Sequence, residues 1–134
     1  MAKLETIEGI GDKYAKTLRD AGVKTTNALL KQGSTPKGRK KIEKDSGISG
    51  KLILEWVNHC DLCRVKGVAG EYSDLLEEAG VDTVPELAQR NPFRLYLHVK
   101  EVNEAKNLVR SIPAQSKIRA WVTEAKNLPR VVEY

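Results

Sequence analysis

The chain has 134 residues, 40% hydrophobic and 31% charged, with 2 Cys and a formal charge of +5. That length suits one domain or two small ones, able to bury roughly two-thirds of the unfolded surface, and the near-average charge and hydrophobicity argue against wholesale disorder. No stretch approaches the roughly 18 apolar residues of a membrane helix. Met1–Glu5 lacks an apolar signal core, and two cysteines make no disulfide framework, so the expected location is cytoplasmic, with no membrane partner.

In chain order, apolar positions at Tyr14, Leu18 and Ala21 after Gly11 have helical spacing, and Gly22 stops that helix. Thr25 or Thr26 caps a short helix to about Gln32. Thr35-Pro36, a cap followed by proline at the first helical position, opens a basic helix through Lys44 that Ser46-Gly47 ends. Ser49 caps the next, with Leu52, Ile53, Trp56 and Val57 on one face. A helix from about Gly70 to Ala79 ends at Gly80, and Thr83-Val84-Pro85 opens a short one. Asn91-Pro92 opens a long helix through Leu95, Val99, Val102 and Leu108. Pro113 breaks the chain before a last helix containing Ile118, Trp121 and Val122, which Pro129 ends.

The chain repeats itself. Ile7, Gly9, Tyr14, Leu18, Ala21-Gly22-Val23, Thr25 and Leu29 stand 58 positions before Val65, Gly67, Tyr72, Leu76, Ala79-Gly80-Val81, Thr83 and Leu87. Trp56 and Trp121 match at an offset of 65, so the second copy carries about seven extra residues before its last helix. Two copies predict a pseudo-symmetric pair. The fold expected is all-α, about eight helices packed as one compact unit, with a first repeat over residues 1–60 and a second over 61–134. Charge divides unevenly between them: the first 60 residues hold 12 Lys and Arg against 7 Asp and Glu, the remainder 11 against 11. The basic excess of the first repeat hints at a polyanionic partner.

Ile7-x-Gly9-Ile10-Gly11-x-Lys13-x-Ala15, closing on Ala21-Gly22-Val23, resembles the helix-hairpin-helix motif. Its glycines permit a tight turn, and the N–H groups at the turn and the following helix start make an anion site. The whole chain resembles a bacterial family of tandem helix-hairpin-helix proteins. The likeness runs through Trp56-Val57-Asn58-His59, Arg64-Val65-Lys66-Gly67-Val68, Ala79-Gly80-Val81-Asp82-Thr83-Val84, Arg90-Asn91-Pro92 and Ala125-Lys126-Asn127-Leu128-Pro129. That family is in turn similar to the helix-three-turn-helix region of flap endonucleases. The resemblance implies a backbone phosphate of double-stranded or structured DNA held on the amides of Gly9, Ile10, Gly11 and Lys13. It also implies a monovalent cation as a possible companion on carbonyls of residues 7 to 11; no other cofactor is expected.

Three departures matter. Glu8 stands where many DNA binders have proline, and Asp12 follows the second glycine, where a carboxylate competes for the same donors. The second hairpin, Gly67-Val68-Ala69-Gly70, has alanine at the second glycine position and leads into a helix with Glu71, Asp74, Glu77 and Glu78. The first hairpin is therefore the expected binder, supplemented by Lys13 and Lys16, and the second a packing or protein-contact element. Lys37, Arg39, Lys40, Lys41 and Lys44 form a basic cluster at a helix start, unfavourable for the dipole unless an anion compensates. The alternative is a solvated basic face.

Other signals are weaker. Cys60-Asp61-Leu62-Cys63 lacks a thioredoxin context, and His59 alone beside it falls short of a zinc set, so two ordinary thiols and no metal are expected. Trp56, Trp121, Tyr14 and Tyr72 read as packing residues, and the Leu95–Leu108 stretch as core, with pairing to a partner helix as its alternative. The acidic residues are dispersed, with no Asp-x-Asp pair for two metals and no P-loop or nucleophile elbow, so no enzyme and no small-molecule substrate are expected. The expectation is a non-catalytic, sequence-independent nucleic-acid binder. The alternatives are a protein-interaction adaptor using the hairpins and, more weakly, a binder of a small phosphorylated ligand at the first hairpin.

Overall fold

The computed structural model describes residues 3–7, 9–68 and 71–134. Among them are a 3-10 turn, Leu4–Thr6, and eight α-helices: α1 Asp12–Asp20, α2 Thr26–Gln32, α3 Pro36–Ser46, α4 Gly50–Leu62, α5 Glu71–Glu78, α6 Val84–Ala88, α7 Pro92–Lys106 and α8 Gln115–Asn127. The described residues contain no strand, and the fold is all-α. None of these helices is long and apolar enough to cross a membrane.

Local chemistry sets the helix ends. Thr25, Thr35 and Thr83 hydroxyls accept from the amides of Ala28, Gly38 and Glu86, each satisfying a donor that the first turn leaves open. The Asn91 side chain accepts from Phe93 and Arg94, and Pro36, Pro85 and Pro92 fall where a missing N–H costs nothing. Helices α1 and α5 end identically. The amide of Val23 donates to Leu18 and that of Gly22 to Arg19; Val81 donates to Leu76 and Gly80 to Glu77. Gly22 (φ +93°) and Gly80 (φ +89°) supply the left-handed residue this closure requires. One end differs from expectation: α7 stops at Lys106, not near Leu108. Asn107 turns left-handed there, and Asn103 holds both the N–H and the C=O of Val109.

The chain divides into two compact units, Met1–Asp61 with Val131–Tyr134, and Leu62–Arg130. The last four residues, read from sequence with the second repeat, thus belong to the first unit. Val132 is buried in its core, the Glu133 amide donates to the Ser34 carbonyl at 2.7 Å, and the Tyr134 hydroxyl donates to Asn58 Oδ1 at 3.0 Å.

Each unit has its own core. In the first, α1 packs on α3, and α2 on α3, around Leu18, Leu29, Ile53 and Val57. The α2–α3 corner is tight: a Cβ on Gly38 would lie 1.9 Å from the Gln32 carbonyl oxygen. In the second, α8 packs on α6 and α7 around Leu76, Leu87, Val99 and Ile118. The tryptophans anchor both units. Trp56 and Trp121 are each 2% exposed, and their rings meet Tyr14 and Tyr72 at centroid distances of 5.1 and 5.6 Å. Each indole nitrogen sits against a turn glycine, 3.5 Å from where a Cβ of Gly9 would be and 3.2 Å for Gly67. Both glycines have positive φ, +92° and +90°.

Candidate functional site

The first turn is built from apolar anchors. Ile7 and Ile10 are buried, and the Ile10 amide donates to the Ile7 carbonyl at 3.1 Å, closing the turn around Gly9. This corrects the expectation for Ile10: its N–H is consumed inside the turn and is not offered to a ligand. Gly11 is the N-cap of α1, in an extended conformation, and no side chain of a described residue caps the helix. The first intrahelical bond runs from Ala15 to the Gly11 carbonyl at 2.9 Å. The amides of Asp12, Lys13 and Tyr14 therefore have no acceptor within the helix, and Gly9 and Gly11 through Tyr14 are exposed. The Asp12 carboxylate lies in this first turn without capping it. Glu8 lies outside the described residues.

Beside these donors, Lys13 is exposed and Lys16 is paired with Asp20 at 2.8 Å, which raises the Lys16 pKa. Glu5 from the 3-10 turn accepts from Arg19 at 2.6 Å, and that bond holds its carboxyl below the usual range. Of the turn carbonyls considered for a monovalent cation, that of Ile7 accepts from Ile10.

The basic helix α3 separates its charges by face. Lys37, Lys40, Lys41 and Lys44 recur at i, i+3, i+4 and i+7, and all four are exposed. Arg39 and Ile42 fall on the opposite side and are buried. Arg39 is thus corrected from a ligand contact to a structural cation. It is 8% exposed, donates to the Gly33 carbonyl and the Glu133 carbonyl at 2.8 Å each, and lies 6.0 Å from the Tyr134 ring centroid. Lys41 is paired with Asp45 at 2.7 Å, whereas Lys13, Lys37, Lys40 and Lys44 make no ion pair with a described residue. Glu43 is turned to another task, accepting from the Gly50 amide at 2.7 Å at the start of α4.

The second turn repeats the backbone and changes the charges. Val65 and Val68 are buried, and the Val68 amide donates to Val65 at 3.0 Å. The Lys66 amide, however, donates to the Glu124 carboxylate at 2.9 Å, so an acid already sits at this turn. Glu78 is ion-paired with Lys106, and Asp74 and Glu77 are half-buried on α5. Ala69 and Gly70 lie outside the described residues. Cys60 is buried and Cys63 half-buried, and neither forms a disulfide.

One surface was read from sequence mainly as core. The Leu95–Leu108 stretch buries Leu95 and Val99 as expected, but Phe93 and Leu97 of α7 are 52% and 46% exposed. Their i, i+4 spacing was the available signal, since it places both off the Leu95–Val99 stripe.

No curated protein and no solved structure matches the chain. The family model described as a domain of unknown function (DUF4332) matches residues 8–128, and the chain belongs to that family.

Proposed function

We propose that the first unit binds nucleic acid without sequence preference and without catalysis, as a helix-hairpin-helix element, and that double-stranded or structured DNA is its ligand. The observation that carries this reading is the start of α1, where three amides of exposed residues have no acceptor within the helix and no side-chain cap from a described residue. A phosphate oxygen there accepts from the amides of Asp12 and Lys13 and meets the positive end of the helix dipole. The lysine stripe of α3 supports it. Lys37 to Lys44 spans about 10 Å along the helix axis, enough to neutralise successive phosphates of one strand. Phosphate contacts of this kind carry no base information.

The second turn fits this role poorly, because the Glu124 carboxylate occupies the Lys66 amide and would repel a phosphate. The test is fluorescence anisotropy with labelled duplexes of unrelated sequence at several salt concentrations. With about four phosphates contacted, log affinity falls with log salt at a slope near −3 to −4, alike for all sequences. Absence of binding at about 50 mM salt would overturn the reading.

A further inference from the structure

We propose that the outer face of α7 is a self-association surface, on which a second copy of this chain packs its own α7 antiparallel. Phe93 and Leu97 stand on it one turn apart, 52% and 46% exposed. Apolar side chains clustered on one face and rimmed by charged residues mark an interaction surface. A shallow hollow on this face is lined by Arg94, Leu97, His98 and Glu101, and by Lys100 and Glu104. The first four stand at i, i+3, i+4 and i+7, the diamond of side chains that receives one apolar knob in helix–helix packing.

The centre of that diamond lies between Leu97 and His98. A twofold axis through this point sets Leu97 against Leu97 of the second copy, so the two side chains cover each other. Charge fixes the direction. Arg94 and Glu101 lie on the same flank of α7, two turns apart, and Glu101 Oε2 is 3.7 Å from His98 Nδ1 on the same rim. A parallel pairing would set Arg94 against Arg94 and Glu101 against Glu101. The antiparallel pairing sets Arg94 against Glu101 of the second copy, and does so twice. One helix face is far smaller than the standard interface of roughly 1,600 Å², so the dimer is weak and concentration-dependent.

The test is sedimentation equilibrium of the whole chain from about 10 µM to about 1 mM, a range that brackets a weak dimer. The expected result is a rise from monomer toward dimer mass. Arg94→Glu and Glu101→Arg each place like charges across the axis and should weaken self-association at least about ten-fold. An equimolar mixture of the two restores it, because each then meets its complement. Both positions are exposed, so folding is retained, which far-ultraviolet circular dichroism checks. Leu97→Asp should also leave a monomer. Monomer mass throughout the range would overturn the proposal and reserve the face for a different partner. A dimer that neither charge variant weakens, or a mixture that fails to recover, would overturn it equally.

Discussion

Helices α3 and α7 occupy the same place in their units, and both open on a side-chain cap followed by proline, Thr35-Pro36 and Asn91-Pro92. Aligned on those prolines, Lys37, Lys40, Lys41 and Lys44 correspond to Phe93, Tyr96, Leu97 and Lys100. One unit has a lysine stripe where the other exposes Phe93 and Leu97, half-buries Tyr96 and keeps one lysine, Lys100. Beneath the surface the likeness persists in the turn glycines with positive φ, the matched closures of α1 and α5, and the Tyr–Trp pairs. Burial and backbone geometry constrain the inner face of a repeat, because a cavity or a strained turn costs stability directly. The outer face has no such constraint, and there the two copies differ in charge and in exposed apolar side chains.

The sharpest way to break this comparison is to attack the shared anchor. Trp56→Ala and Trp121→Ala should each cost about 3–5 kcal/mol in chemical denaturation, and by similar amounts if the units are built alike. A large effect at one and a small effect at the other would end the claim of equivalence. Next in size is a separation of roles within α3. Arg39→Ala leaves the buried carbonyl of Gly33, and the carbonyl of Glu133, without their donor and should cost about 1–3 kcal/mol of stability. Lys40→Ala should leave stability within about 0.5 kcal/mol while lowering the magnitude of the salt slope for DNA binding by about 1. Loss of binding without loss of stability at Arg39 would restore it as a ligand contact. The smallest effect concerns the acid at the start of α1. Asp12→Asn removes a negative charge beside the proposed phosphate and should raise DNA affinity about three-fold at low salt, with less effect as screening grows.

Much of the fold was legible because its signals are local. Thr25, Thr35, Thr83 and Asn91 cap helices for reasons carried by their own side chains, and Gly22 and Gly80 stop them because only glycine takes positive φ freely. What escaped depends on distance along the chain. Arg39 is held by the Glu133 carbonyl, 94 residues away, and nothing near Arg39 announces that tail. A partial signal existed, since Arg39 alone among the basic residues of 37–44 falls outside the i, i+3, i+4, i+7 set. The occupied Ile10 amide follows from the closure of the turn itself, which the glycine pattern implies only in outline.

In the proposed mode of binding, the start of α1 and the outer lysines of α3 together meet the nucleic acid. Titration of isotopically labelled protein with a short duplex, followed by amide chemical shifts, addresses it most directly. The account predicts the largest shifts at Gly11 to Tyr14 and along Lys37 to Lys44, with Lys66, Gly67 and Val68 of the second turn unmoved. Shifts centred on the second turn, or a spectrum unchanged by duplex at low salt, would contradict it.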